Sequence, residues 1–298
     1  MNKIDLFLDS GAYSAWTKGA QISIDEYIKF IKDNLFCITT YCNLDDIQSP
    51  EKTWENQEKM ENEGLSPLPV YHIGEDKKYL DRILGYEYFA LGGMALQSLP
   101  ARIEFYDEIF SLICSHKNGF LPTHKIHGFG LTSLQLMIRY PWYSVDSTSW
   151  VLTGRFGSIF VPRYRNGEYI YDENSWKVCV SNRAGDESFQ EGKHIETFSQ
   201  MERDQILHYM NDKGYVLGKS EFRKERASYK LKLKEGEKWH GKEESDGQRI
   251  VETVIERGIS NIYQLRDEMN IIYFLDLEKF LPEWPWAFKR KVPKGFFV

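Results

Sequence analysis

Six polar clusters recur along the first half of the chain, each at the end of a short apolar run. They are Asp9-Ser10-Gly11, Asn43 with Asp45 and Asp46, His72 with Gly74, Gly92-Gly93, His127-Gly128-Phe129-Gly130, and Asp146-Ser147. Any one of them is ordinary, because Asp and Gly are common turn and cap residues. Six at successive strand ends point to a site rim, since the C-terminal strand ends of parallel α/β folds carry the chemistry. Carboxylates from several strands suit acid/base work, nucleophilic catalysis or a metal. A divalent ion held by Asp9, Asp45, Asp46, His72 and Asp146 is the lesser option, because no HxH or HxxEH spacing supports it. The glycines let a flat ligand approach backbone groups closely. Tyr13 is placed either to stack on such a ligand or to anchor a loop.

The elements that must hold these residues alternate. Runs 4–8, 38–44, 68–73, 88–91, 125–129 and 142–145 read as strands. Between them lie helical stretches. Residues 23–33 carry Ser23 as N-cap with Glu26 three positions on, and Ile24, Tyr27, Ile28 and Ile31 on one face. Ser49 caps a helix begun by Pro50, and further helices start near Asp76, Pro100 and Ser133. Six strand-then-helix units imply a parallel sheet, either doubly wound or closed as a barrel. No Gly-rich phosphate fingerprint follows the first strand, which disfavours a dinucleotide fold.

Beyond Trp150 the pattern changes. Residues 158–161 and 168–171 flank Asn166-Gly167 as a hairpin, 176–180 is a strand and 198–211 a helix. Residues 219–242 are charged and irregular. Residues 248–256 and 260–269 read as two short helices around Gly258-Ile259. The domain boundary is expected at 215, giving units 1–215 and 216–298, the second mostly helical.

Composition narrows the class. Among the 298 residues, 42% are hydrophobic and 28% charged, the balance of a globular protein. The net charge of −6 does not recruit nucleic acid by itself, so such a partner needs a local basic face. Cys37, Cys42, Cys114 and Cys179 show no CxxC spacing, which fits a reducing cytoplasm without disulfides or structural zinc. No apolar run reaches membrane length, and the acid at Asp5 interrupts any signal-peptide core.

Three segments carry a specific resemblance. Asp9-Ser10-Gly11-Ala12-Tyr13 resembles the Asp-Ser-Gly-Gly-Phe motif of the tRNA-guanine transglycosylase (queuine tRNA-ribosyltransferase) family. Leu91-Gly92-Gly93-Met94-Ala95 is similar to that family's Gly-Gly-Leu-Ala segment, and His127-Gly128-Phe129-Gly130-Leu131-Thr132 to its Met-Gly-Val-Gly-Thr segment. Asp146 follows the last by one helix and one strand, where the family has its nucleophilic aspartate. The resemblance covers roughly residues 5–150 and implies an α/β, TIM-type (β/α)8-like barrel. A strand within 158–180 either helps to close that barrel, or the barrel stays incomplete.

The resemblance also implies roles. Asp146 would attack C1′ of a target nucleotide and Asp9 would act as acid/base. Asp45 or Asp46 would read the purine edge, with Ser10, Gly92, Gly93 and Met94 around the base and Tyr13 and His127 as its walls. His72 stands where the family has a base-reading Gln. The region beyond Asp146 lacks the family's Cys-rich zinc module, and the chain starts close to the Asp-Ser-Gly strand, where family members carry an N-terminal segment. The missing zinc module and the compact size look more like the branch from phages and bacterial islands that inserts a 7-deazaguanine such as preQ0 into DNA, with tRNA as the alternative nucleic acid. A phage-encoded member would work in the host cytoplasm. No cofactor and no metal are implied.

A nucleic-acid substrate needs a phosphate-binding surface. Arg155, Arg163 and Arg165 follow the proposed nucleophile. The run 219–242 adds Lys219, Arg223, Lys224, Arg226, Lys230, Lys232, Lys234, Lys238 and Lys242, and Lys289-Arg290-Lys291 forms a third cluster. The ordinary reading of such a run is a solvated face. Two other classes stay open: an enzyme acting on free nucleosides, and a catalytically inactive barrel that serves as a binding subunit.

Overall fold

The computed structural model describes residues 5–93, 97–131, 133–172, 174–227, 232–241 and 243–288. The chain divides into two compact units, residues 1–147 with 283–298, and residues 148–282. The expected boundary at 215 is therefore corrected to 147/148, and the final segment belongs to the first unit. The reason is packing: Ile159, Val178, Ile206 and Met269 share one core that spans residue 215, and the stretch 283–288 returns to the first unit. Phe288 stacks on Tyr140 at 5.4 Å, its N–H donates to the Phe120 carbonyl, and Trp284 Nε1 donates to the Pro141 carbonyl. Nothing in the local sequence of 283–288 announces those distant partners.

The first unit is mixed α/β, in the order β1 (Leu6–Leu8), α1 (Ala12–Thr17), α2 (Ile24–Asn34), β2 (Ile38–Tyr41), α3 (Pro50–Asn62), β3 (Val70–His72), α4 (Lys77–Ile83), β4 (Tyr88–Gly92), α5 (Leu99–Ile113), β5 (Lys125–Gly128), α6 (Leu134–Arg139) and β6 (Ser144–Val145). The caps expected at Ser23 and Ser49 form, accepting from the N–H groups of Glu26 and Lys52. Asp76 and Ser98 cap α4 and α5 in the same way. Each satisfies a helix-end donor that would otherwise be orphaned.

β1 and β2 pair in parallel, and β3-β4-β5-β6 form a second parallel sheet in chain order. A parallel bridge between Cys42 and Leu68 joins the two. The six strands thus follow one another in sequence, without the reversal that defines a doubly wound sheet. The sheet also curls. The rings of Phe7 on β1 and His127 on β5 stack with centroids 4.2 Å apart. Four strand spacings of a flat sheet would separate those strands by about 19 Å. Cys42, Val70 and Ala90 pack between them, with Phe7 and Phe129 against the same cluster. Among the described residues no strand pairs with the outer edges of β1 and β6, so no closed barrel is seen.

The second unit comprises α7 (Ser149–Arg155), β7 (Ser158–Val161), β8 (Arg163–Arg165), β9 (Glu168–Ile170), β10 (Trp176–Cys179), α8 (Gln200–Asp212), β11 (Lys219–Arg226), β12 (Glu237–His240), β13 (Gln248–Glu256) and α9 (Tyr263–Phe280). The Asn166-Gly167 turn forms with both residues at positive φ, but it joins β8 to β9. β7 pairs antiparallel with β10 inside this unit, so 158–180 does not extend the parallel sheet. Its core gathers Ile159, Val161, Val178, Ile206, Tyr209 and Met269.

The helical reading of 248–256 is corrected. β13 runs antiparallel to both β11 and β12. Ile250, Val251, Thr253, Val254 and Ile255 are β-branched and stiff at χ1, which suits a central strand and disfavours a helix. The appendage is therefore a three-stranded sheet with one long helix, not a mostly helical piece and not a helix-turn-helix. Gly218 and Gly258 bring two backbones together where a side chain cannot fit. A Cβ on Gly258 would lie 2.3 Å from Gly218 N and 2.5 Å from its Cα. We expect Gly258→Ala to cost about 3 kcal/mol through such overpacking, read as a lowered Tm. An unchanged Tm would contradict this approach.

Candidate active site

The strand-end aspartates of the first unit converge. Asp9 follows β1, Asp45 follows β2 and Asp146 follows β6. Burial pushes the Asp9 carboxyl above the ordinary carboxylate range, and the charges of Asp146 and Asp45 add to the rise. N–H groups of Gly11 and Ser10 pull the other way without cancelling it. Asp9 remains open to solvent, so a ligand can reach it. Burial together with the same three carboxylates also pushes the thiol of fully buried Cys42 well up, leaving it a neutral spacer.

Asp45 is held by two donors. Ser10 Oγ donates to Oδ1 at 2.8 Å and His72 Nε2 lies 3.1 Å from Oδ2. His72 Nδ1 in turn is 2.8 Å from Glu75 Oε1. Burial favours the neutral ring, yet the hydrogen bonds to Asp45 and Glu75 and their charges prevail, and the imidazole is pushed up to about 9. At neutral pH it is an imidazolium donating from both nitrogens. Gly92 gives His72 its place, since a Cβ there would lie 2.8 Å from His72 Cδ2. Gly93, at φ 79°, lets the chain turn close to His72 Cβ and Ile73.

Asp146 Oδ1 accepts from Gly130 N at 2.8 Å, and His127 Nε2 lies 3.5 Å from the same oxygen. His127 is buried, with Nδ1 2.8 Å from Ser144 Oγ and its ring stacked on Phe7. Its faces are occupied by protein, which sets it beneath Asp146 rather than as a wall for a ligand.

The structure separates Asp45 from Asp46, which spacing alone left equivalent. Asp46 Oδ1 accepts from Gln48 N and Ser49 N, and its own N–H donates to Thr53 Oγ1. Those bonds build the turn before α3. Tyr13 is 46% exposed on α1, with Trp16 beside it at 5.9 Å. Trp16, Ile22, Leu44, Asp45 and Asp46 line a cleft of about 450 Å³, within the range of small-molecule sites. The cleft reaches Asp45 but not Asp9 or Asp146. Met94 lies outside the described residues.

Sequence reasoning missed Trp16, Glu75 and Ser144. Glu75 carried a readable signal, three residues after His72. Ser144 did not, because its partner His127 sits on a neighbouring strand.

The proposed phosphate contacts fall in the second unit. Arg163 Nε donates to the Asn174 carbonyl at 2.6 Å, and its guanidinium covers the Trp176 ring at 3.6 Å. Arg223 pairs with Glu225 and Glu237, Lys224 with Glu244, and Lys238 with buried Glu252. Arg155, Arg165, Lys219 and Arg226 are exposed. The charged run is thus an edge strand and its neighbours, partly neutralised by acids, as edges commonly are. Lys230, Lys242 and the cluster 289–291 lie outside the described residues.

Among the described residues, no group of three or more His, Cys, Asp or Glu side chains is placed to hold a metal ion. His72 has both nitrogens engaged and Asp46 is turned into its loop, which disperses the set considered from sequence. No described helix is long and apolar enough to cross a membrane.

Fold and site together define a parallel α/β unit with an aspartate-lined strand-end site. No family model matches the chain, and searches of curated proteins and of solved structures return no match either.

Proposed function

We propose that the first unit is the incomplete form of a TIM-type (β/α)8-like barrel and that it exchanges guanine in DNA for a 7-deazaguanine base. The observation that carries the reading is the convergence of three strand-end carboxylates, one of them pushed up by burial with the charges of the other two adding to the rise. The chain-order winding and the Phe7–His127 stack support the barrel.

The chemistry balances with these residues. A carboxylate oxygen of Asp146 attacks C1′ as the bond to guanine N9 breaks, giving a glycosyl ester. Asp9 gives its proton to the leaving purine. The incoming 7-deazaguanine returns a proton to Asp9 and attacks C1′, which frees Asp146. Asp45 faces the base edge. Each of its oxygens already accepts one bond and keeps a second lone pair for an N–H of the base. The His72 imidazolium, at 3.1 Å from Oδ2, holds the Asp45 side chain in place for that task. The target nucleotide leaves its stack to enter the site.

The deciding experiment supplies labelled guanine or preQ0 with either DNA or tRNA. Label in DNA is the expected result, label only in tRNA selects the tRNA enzyme, and label in neither sinks base exchange. Asp9 gives a second test. An acid that must hold its proton loses activity as pH rises through its pKa, so the alkaline limb of kcat/KM is expected above the ordinary carboxylate range. Asp9→Asn should remove that limb and lower the rate by about 10²- to 10⁴-fold. The same change should raise Tm at pH 7. A folded pKa above the unfolded one stabilises at low pH and is a penalty once the group is charged. A lowered Tm would count against crowding at Asp9.

A further inference from the structure

The second unit contains an open cleft of about 1180 Å³ that the base chemistry does not use. Four cations line it, Arg155, Arg183, Lys238 and Arg266. Arg183 Nε donates to Glu252 Oε2 at 2.8 Å, while the Arg183 side chain stays 40% exposed. Lys238 Nζ donates to the Asn261 carbonyl at 2.9 Å and lies 3.6 Å from the same Glu252. Glu252 is fully buried, so it anchors both cations from beneath and leaves the cleft side to solvent. Arg266 is buried and gives its donors to the neutral carbonyls of Gly154 and Ile259.

Positive charge prevails here although the chain carries −6. Among the described side chains, the four cations outnumber the nearby carboxylates Glu187, Glu252 and Asp267. Burial pushes the Asp267 carboxyl above its ordinary value, against the pull of Arg155 and Arg266. Burial also lowers the pKa of Lys238 and of Arg266, a cost that an anion in the cleft would relieve. The N-terminus of α9 opens on the same space, and its first-turn N–H groups have no side-chain cap. Two rings stand at the cleft, Tyr263 at 45% and Phe156 at 77% exposure. Cations with uncapped N–H groups suit a phosphate, and exposed rings suit a base.

We propose that this cleft binds a phosphate of a nucleotide unit, with Arg155, Arg183 and Lys238 meeting the anion and Tyr263 or Phe156 stacking on the base. The phosphate can come from a nucleic-acid strand or from a free nucleotide. The proposal goes beyond base exchange and stands on the second unit alone.

The test uses the full chain and a fluorescein-labelled single-stranded DNA 12-mer, read by anisotropy at low and at raised salt. Wild-type protein is expected to bind, and affinity to fall as salt rises. Arg155→Glu should weaken binding about tenfold or more and flatten the salt slope by about one. Tyr263→Ala should weaken binding with the slope unchanged. Both positions are exposed, and circular dichroism checks that the variants fold. Competition by dGMP, with none by guanosine, identifies a nucleotide phosphate as sufficient. Competition only by unlabelled strand identifies a run of phosphodiesters. Either result upholds the site. No binding by wild type, or full binding by both folded variants, overturns it. The readout is strand binding and its salt slope with no incoming base supplied, which keeps this outcome separate from the fate of the base-exchange reading.

Discussion

Asp146→Asn is expected to abolish base exchange, with a loss of about 10⁴-fold or more, and to yield no covalent adduct with the nucleic acid. The amide keeps an oxygen that can still accept from Gly130 N, so the side chain stays where the carboxylate was. What it loses is the charge and nucleophilicity that trap an oxocarbenium-like centre. Removing the atom that forms the intermediate cannot be compensated by the remaining groups, which is why nucleophile knockouts rank among the largest effects in enzymes. Wild-type protein quenched with acid during turnover should carry the glycosyl group on Asp146, located by peptide mass. Full activity in the variant, or an adduct on another residue, would refute the assignment.

The second large effect concerns stability and falls on His72. Its imidazolium lies between Asp45 and Glu75, whose side chains are only 11% and 7% exposed. His72→Leu leaves those two carboxylates facing one another with no cation between them. Breaking a buried pair in this way costs about 3–5 kcal/mol. The wild type should also show a matching pH dependence. A histidine whose folded pKa is about 9, against 6.5 unfolded, contributes stability that is fully present below pH 6.5. That contribution is lost as pH rises towards 9, and amounts to about 3 kcal/mol at 1.36 kcal/mol per tenfold. Urea midpoints at pH 6 and pH 9.5 measure it. A wild type with equal midpoints at both, or His72→Leu as stable as wild type at pH 6, would remove His72 from this role.

The two effects separate the site into parts. Asp146 and Asp9 lie where reacting atoms would sit, so their substitution is read in rate. His72 acts through Asp45, so its substitution is read first in stability. His72→Gln, which keeps one donor, should recover part of the stability lost in His72→Leu. Recovery would mark His72 as a positioning residue.

Much of the first unit was legible from local signals. Period-2 and period-3.6 patterns located β1 to β6 and the main helices, because each element must turn an apolar face to the core. Ser23, Ser49 and Asp76 marked helix starts because their side chains meet donors two or three residues away. The Asn166-Gly167 turn was legible because few other residue pairs tolerate two positive φ angles. Position in sequence also placed Asp9, Asp45 and Asp146 at strand ends.

Other features were decided by contacts between residues far apart in the chain. Asp45 and Asp46 are chemically identical neighbours, and only the bonds from Ser10 and His72 on one side and Thr53 on the other gave them different work. His127 looked like a wall for a ring until Phe7 took its face. Strand 248–256 looked helical until β11 and β12 supplied partners on both sides. The boundary lay at 147/148 because Ile159, Val178, Ile206 and Met269 share one core across residue 215, and residues 283–288 rejoined the first unit by packing on Tyr140 and Phe120, pairings that no local pattern encodes. The sequence by itself determined which residue types stand at the strand ends, since alternation and capping act within a few residues. Only the tertiary structure decided that three of those aspartates share one field, because curling the sheet brings β1 back towards β5 and β6.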